Sequence, residues 1–230
     1  MKDNFLKFCS NIPWFFKETD DITIYDIELT FSNDFMNLFP NLFKLLINAD
    51  IELIELNREE EISKFHLFTW KNTNGEESGW LCKIEEKIQL DVPKDLEILI
   101  KNFGGIQESY SESYDDEERF TDNQNFIFIA SGLRKGLGLR DEFYLDLCKD
   151  ENKIPMDTQN FLRIAEEANG NETFIDLKTN EILLFAQDHD FDYVESLDNQ
   201  PEYTFYKIKL VDNIVDYVEN LANQWSVLVE

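Results

Sequence analysis

Alternating and helically spaced apolar positions divide the chain into short strands and a few helices. The first alternating run, Ile22 to Phe31, predicts a strand because every second side chain on one face is apolar. Apolar residues recur at helical spacing from Asn33 to Asn48, and we expect Pro40 to kink or shorten that helix. Two apolar runs, 65–70 and 80–84, flank Asn74-Gly75 and predict a β-hairpin. Further strands are predicted over 51–56, 126–130, 143–148, 161–165, 173–177, 182–186 and 203–210.

The most clearly marked element is an amphipathic helix that starts after Pro93. Asp95 and Glu97 favour the positive N-terminal end of a helix, and Gly104 can supply a left-handed stop. A second amphipathic helix is predicted near the end of the chain, with Asp212 available as its cap. The acidic stretch from Gln107 to Asp122 is predicted to be an exposed loop. These elements predict an α+β fold, a mostly antiparallel sheet flanked by helices.

Charge narrows the classes of partner that the chain can bind. Among 230 residues, 48 are acidic and 21 are basic, which gives a net charge of −27. Such a chain repels nucleic acid phosphates and anionic membranes, so we expect direct binding to neither. It attracts basic proteins, although the same charge is also compatible with solubility alone.

Three cysteines that form no close pair argue against a disulfide framework and fit a reducing compartment; these are Cys9, Cys82 and Cys148. The first residues lack the charged-then-apolar layout of a signal peptide, and no apolar run approaches the length of a membrane span. We therefore expect a cytoplasmic protein. Its oligomeric state is not indicated by the sequence.

Two local patterns contain residue types that are found in ligand-binding sites. The Gly-rich stretch Ser131 to Arg140 concentrates positive charge, but it has neither a phosphate-loop ending nor dinucleotide-binding spacing, so a flexible connection is favoured. Asp188-His189-Asp190 offers metal-ligand types, but the spacing matches neither a zinc signature nor a calcium loop. A solvated acidic turn is favoured there. The sequence thus predicts no catalytic residues, no metal and no cofactor.

Two acidic segments with interleaved aromatic residues are the candidate partner-binding surface, because aromatic anchors beside carboxylates suit an Arg- or Lys-rich partner. The alternative is a pair of solvated loops. The predicted contact residues are Tyr110, Tyr114, Asp115, Asp116, Glu117 and Glu118 in the first segment, and Asp188, Asp190, Phe191 and Asp192 in the second.

Several short motifs follow one another in a defined order from Ile84 to Trp225. The first group is Ile84-Glu85-Glu86-Lys87-Ile88, Val92-Pro93-Lys94-Asp95-Leu96 and Asn102-Phe103-Gly104-Gly105-Ile106. The second is Phe161 to Ala165, Gly170-Asn171-Glu172, Phe174 to Leu177, Thr179 to Ile182 and Asp188-His189-Asp190, followed by a closing helix from Asn213 to Trp225. The order of these motifs resembles the SUKH superfamily, although Val92 and Asn180 depart from the residues usual in that family. The resemblance predicts a SUKH-like domain over 84–230, with 1–83 as an extension packed on it or completing its sheet.

This resemblance implies a protein-binding role rather than an enzymatic one. Bacterial members are immunity proteins that neutralise toxins, often toxins directed at nucleic acid, and eukaryotic relatives regulate cell-wall synthesis. The leading hypothesis is therefore an immunity-type protein that binds a basic toxin domain stoichiometrically and performs no chemistry. Its rivals are a regulatory adaptor of the same fold, a hydrolase that uses carboxylates, and a nucleic-acid mimic.

Overall fold

The computed structural model describes residues 3–85, 87–112, 124–187 and 192–226, and for 124–126 it describes the backbone alone. The helices of these residues are α1 (Asp3–Asn11), α2 (Asn33–Leu38), α3 (Pro40–Leu46), α4 (Lys94–Phe103), α5 (Asp141–Asp150) and α6 (Ile214–Trp225). The strands are β1 (Asp21–Asp26), β2 (Asp50–Arg58), β3 (Glu61–Lys71), β4 (Glu77–Ile84), β5 (Gly105–Ser111), β6 (Gln124–Ile127), β7 (Arg134–Lys135), β8 (Phe161–Glu167), β9 (Glu172–Asp176), β10 (Ile182–Phe185), β11 (Val194–Ser196) and β12 (Phe205–Ile208).

The strands form one antiparallel path in the order β1-β2-β3-β4-β5-β6-β8-β9-β10-β12-β11, and β7 pairs with β8. Five strands lie before the junction of β5 with β6 and six lie after it. That junction is narrow, because its only register pair joins Ile106 to Ile127. The predicted α+β fold with a mostly antiparallel sheet and flanking helices is confirmed.

Helices cover both faces of this sheet. One face carries α2, α3, α4 and α6 over a single apolar cluster that runs through both halves of the sheet, from Phe68 and Trp80 to Ile164 and Leu184. The opposite face carries two separate clusters, one under α1 in the first half and one under α5 in the second. The continuous cluster ties the two halves together where the strand pairing between them is weakest.

Local sequence signals fix several helix boundaries as predicted. Pro40 divides the predicted helix in two: α2 ends at Leu38, and α3 begins at the proline, which lacks the N–H that a helix interior needs. Gly104 ends α4 at a φ of 79°, and a Cβ there would lie 2.4 Å from the carbonyl oxygen of Lys83. Only glycine fits that position, because both the backbone angle and the space exclude a side chain.

Three predictions about elements were wrong. The run 143–148 is part of helix α5 rather than a strand, because its fully buried side chains, Tyr144 and Cys148, are four residues apart. The exposed loop predicted from Gln107 begins instead as strand β5, which continues to Ser111. The cap of α6 is Asn213, whose side chain accepts hydrogen bonds from two backbone amides, and not Asp212.

The first eighty residues contribute directly to the sheet and the core. Strand β4 pairs with β5 along its length, and α3 contacts α6. Trp80 packs edge-on against Trp225, with 4.6 Å between the ring centroids. The division of the chain at residues 83 and 84 stays a prediction. None of the helices in the described ranges has both the length and the apolar character that crossing a bilayer requires.

Candidate protein-binding surface

Most residues of the predicted contact surface lie outside the described ranges. This holds for Tyr114, Asp115, Asp116, Glu117 and Glu118 of the first acidic segment, and for Asp188, Asp190 and Phe191 of the second. Only Tyr110 and Asp192 can be placed.

Tyr110 is a half-buried residue of β5 and packs against helix α1. Its ring packs edge-on against Phe8, with centroids 5.7 Å apart, and burial raises the pKa of its hydroxyl to about 12. Nearby, Lys7 bridges the carboxylates of Glu77 and Glu112, at 2.7 and 3.2 Å. The described start of the first acidic segment is therefore held against α1 by packing and ion pairs.

The end of the second acidic segment meets lysines that are distant in sequence. Glu195 on β11 lies opposite Lys207 on β12, and the Lys209 ammonium donates a hydrogen bond to the carbonyl oxygen of Asp192 at 2.7 Å. Asp192 itself is exposed. A cleft of about 510 Å³ borders this region, with Lys207 and Lys209 beside Glu181 and Glu195. This surface is thus mixed in charge, although the segment itself contains no lysine or arginine.

A different cleft, of about 350 Å³, lies on the α1 side of the sheet, and its charged lining residues are two glutamates, one arginine and one lysine. It is lined by apolar side chains, by a few polar ones and by glutamates: Phe15, Leu56, Arg58, Glu59, Glu61, Ser63, Phe65, Lys83 and Gln107. We call it the hairpin cleft, because the turn between β2 and β3 forms its edge.

That turn consists of two glutamates in an unusual backbone conformation. Glu59 and Glu60 connect β2 to β3 directly, and their φ angles are 55° and 69°. Positive φ at both central residues is the pattern of a type I′ turn, which normally takes Asn or Gly. Together with Glu61 they place three exposed carboxylates side by side. Among the residues that the structure describes, none of the three makes a side-chain hydrogen bond or a salt bridge, although the charge of Glu59 acts on the neighbouring Arg58.

The arginine of the cleft does not neutralise these glutamates fully, because it is held by another carboxylate. Arg58 donates two hydrogen bonds to Asp20, at 2.8 and 2.6 Å, and one to the carbonyl oxygen of Phe15. The hydrogen bond from Arg58 lowers the pKa of Asp20 to about 2. The same bond raises the pKa of Arg58, so the pair stays charged over the whole physiological range.

An exposed tryptophan lies beside this cleft. Trp14 is 67% exposed, and its indole N–H donates a hydrogen bond to Glu108 at 3.2 Å. Burial raises the pKa of the Glu108 carboxyl. Trp14 and Glu108 are chain neighbours of Phe15 and Gln107, which line the cleft. An exposed aromatic side chain near a cleft that has carboxylates at its edge has the composition of an anchor for a basic partner.

Sequence reasoning missed this surface. The signal that could have revealed it is the Glu59-Glu60 turn, which joins two alternating strands without the Asn or Gly that such a turn usually requires. Trp14 gave no local signal, because its exposure depends on how the chain after α1 crosses the sheet.

Two of the three basic residues of the Gly-rich stretch, Arg134 and Arg140, are directed inward, whereas Lys135 is exposed. Arg134 and Arg163 contact the Glu172 Oε1 atom at 2.5 and 2.8 Å, and Arg140 lies 3.6 Å from Oε2. The Glu172 side chain is only 2% exposed. The three arginines therefore organise the connection between β6 and α5 around one buried carboxylate.

In the described part of the chain, no group of three or more His, Cys, Asp or Glu side chains is arranged to hold a metal ion. The Asp188-His189-Asp190 pattern lies outside those residues.

No protein family model, curated protein or solved structure matches this chain. The resemblance to the SUKH superfamily therefore stays a prediction.

Proposed function

We propose that this chain is an immunity-type binding protein, which neutralises a cognate toxin by stoichiometric contact with a basic surface of that toxin. The observation that carries the proposal is the rim of the hairpin cleft. Glu59, Glu60 and Glu61 are exposed there without a side-chain hydrogen bond or a salt bridge to another described residue, and Trp14 lies exposed nearby.

The physical argument is one of complementarity. Enzymes that act on nucleic acid carry a basic surface at their active site, because they must bind phosphates. A protein of net charge −27 accelerates encounter with such a surface and can cover it. The cleft also offers apolar side chains and a nearby aromatic side chain. A bound arginine or lysine can lose its water against them, which charge alone does not provide.

The backbone of the turn supports the same proposal. Non-glycine residues at positive φ cost free energy, of order 1–3 kcal/mol each in unfavourable cases. Glu59 and Glu60 both have positive φ, and Glu61 follows them as the first residue of β3. The three carboxylates are therefore held at a short, rigid turn rather than on a long loop. A rigid charged turn loses little conformational entropy when a partner binds.

The proposal is tested with the partner captured by this chain from its native cell, purified, and assayed for toxicity or enzymatic activity. We expect equimolar inhibition by the wild-type chain. The triple variant Glu59→Lys/Glu60→Lys/Glu61→Lys is expected to weaken binding by at least about a hundredfold, because unlike charges become like charges at the contact. A capture partner that is an endogenous enzyme without toxicity would instead identify a regulatory adaptor.

A matched control carries the same change of charge elsewhere. Asp146→Lys/Asp150→Lys/Glu151→Lys alters three exposed acids at α5, over the other half of the sheet. We expect this control to keep inhibition nearly intact. Equal losses in both variants would show that overall charge, and not the hairpin cleft, governs binding. A third variant that reverses Asp115, Asp116, Glu117 and Glu118 tests the segment predicted from the sequence.

A further inference from the structure

Strand β1 leaves one whole edge of the sheet open. It is the terminal strand of the path and pairs with β2 at all six of its residues, from Asp21 to Asp26. Among the residues that the structure describes, no strand pairs with its other edge. An edge of this kind presents a row of backbone N–H and C=O groups that a further strand can bind.

β1 has only part of the protection that edge strands usually carry, since its charged side chains are the aspartates at its two ends, Asp21 and Asp26. It contains no proline, no lysine and no arginine, and its register with β2 runs without a bulge. The terminal strand at the opposite end, β11, has only three residues. The sheet therefore offers one long open edge, and that edge is β1.

Side chains of β1 present apolar surface on both faces to an added strand. Ile22 and Ile24 are half-buried in the apolar cluster under α1. Tyr25 lies on the other face opposite Leu53 and is 44% exposed. Cross-strand pairs with β-branched and aromatic residues stabilise strand pairing, so an incoming strand finds partners for both sets of its side chains.

Charge selects the kind of strand that can bind. From Glu18 to Thr30 the chain has no lysine or arginine, while it carries the carboxylates of Glu18, Asp21, Asp26 and Glu28 besides that of Asp20, which is paired with Arg58. Pairing with a second copy is disfavoured, because an antiparallel copy would place Asp21 opposite Asp26 twice, between chains of net charge −27. A segment that carries Lys or Arg at alternate positions is instead attracted by these carboxylates.

The open edge also adjoins the hairpin cleft. Asp21 pairs in register with Asn57, and the preceding residue, Asp20, is bound by Arg58. A strand laid along β1 therefore reaches the exposed Glu59 and Glu60 at that end.

We propose that β1 is a strand-addition site, which binds an extended basic segment of a partner protein through backbone hydrogen bonds. This rests on the proposed function, in which the partner is basic, and it specifies how part of that partner is held. Backbone hydrogen bonds supply affinity in this mode, and the alternate side chains supply selectivity.

The test uses a synthetic peptide of about eight residues with alternating lysine and valine, long enough to cover the six residues of β1. Its matched control has the same sequence with every second backbone amide N-methylated, which keeps the charge and removes the hydrogen bonds of one edge. Affinity is measured by fluorescence anisotropy, and protection of the β1 amides by hydrogen exchange. We expect methylation to weaken binding by at least about tenfold and the unmethylated peptide to protect β1 amides.

Two protein variants complete the test. Tyr25→Lys places a cation on the open edge, whereas Ile62→Lys places one at an exposed residue of the inner strand β3. We expect Tyr25→Lys to weaken the peptide about tenfold and Ile62→Lys to weaken it no more than about twofold. Equal binding of the two peptides, equal effects of the two variants, or no binding would each overturn strand addition. Inhibition assays with the hairpin-cleft variants can still support or reject the proposed function, because they measure inhibition of the toxin and leave the residues of β1 unchanged.

Discussion

Glu172 illustrates how single residues place charge in this protein. Its carboxylate is almost fully buried, yet Arg134 and Arg163 bind it directly and Arg140 lies within 3.6 Å. Burying a carboxylate is unfavourable unless cations and hydrogen bonds replace water, and here arginines from the Gly-rich stretch and from β8 do so. A positive stretch that suggested phosphate binding in the sequence is used instead to hold the fold.

We predict that Glu172→Gln lowers the free energy of unfolding by about 3–5 kcal/mol, because it leaves the arginines without their counter-charge. Urea denaturation measures the change. Glu181→Gln is the control, since Glu181 pairs with Lys207 on the surface and should cost less than about 1 kcal/mol. A Glu172→Gln effect as small as the control would mean that the buried cluster contributes little to stability.

His66 makes stability depend on pH. Burial lowers its pKa to about 4, and its Nδ1 atom has no hydrogen-bond partner among the described residues. In the unfolded chain its pKa is about 6.5. As the pH falls below that value, the unfolded state therefore takes up a proton before the folded state does, and stability is lost between about pH 6.5 and 4.

The expected result is a smaller loss of stability between pH 7 and 5 in His66→Gln than in the wild type, measured by urea denaturation at each pH. His189→Gln serves as the control, because it removes the other histidine and keeps His66. Identical pH dependence in the wild type and His66→Gln would contradict the prediction.

At the scale of elements, the join between β5 and β6 depends on a close backbone approach. Gly105 precedes the single register pair between Ile106 and Ile127, and a Cβ at Gly105 would lie 2.4 Å from the backbone nitrogen of Ile129. Backbone atoms cannot move aside as the tip of a side chain can. The glycine thus permits the two halves of the sheet to meet.

Gly105→Ala is expected to destabilise the protein by about 3 kcal/mol or more, as measured by urea or thermal denaturation. Gly79→Ala in β4 is the comparison. Its added Cβ would meet the Tyr110 side chain at 2.8 Å, and that side chain can shift. A cost at Gly105 no larger than the cost at Gly79 would show that the join adapts easily.

For the whole molecule, a net charge of −27 implies strong self-repulsion in the folded state. We predict that the melting temperature rises when NaCl is increased from about 20 to about 500 mM, because the screening length falls from roughly 20 Å to about 4 Å. Glu59→Gln/Glu60→Gln/Glu61→Gln should reduce this gain. A melting temperature that falls with salt would show that ion pairs outweigh repulsion.

Local chemistry was sufficient to predict much of the fold. Pro40, the Asn74-Gly75 hairpin and the α4 helix with its Gly104 stop follow from the sequence, because each depends on backbone restrictions of residues close together in the chain. The class of the fold follows from the same elements. The α5 helix was missed because its apolar residues do not show which of them the sheet will cover.

The acidity of the chain and the type of most elements follow from the order of its amino acids alone. Where that acidity is free to act depends on how the strands are arranged in the folded protein. Lys207 on β12 and Lys209 just after it lie beside the end of the second acidic segment. Glu59, Glu60 and Glu61, in contrast, are exposed at the turn between β2 and β3. Pairing between distant strands sets these contacts, and it depends on the register of the whole sheet rather than on neighbours in the chain.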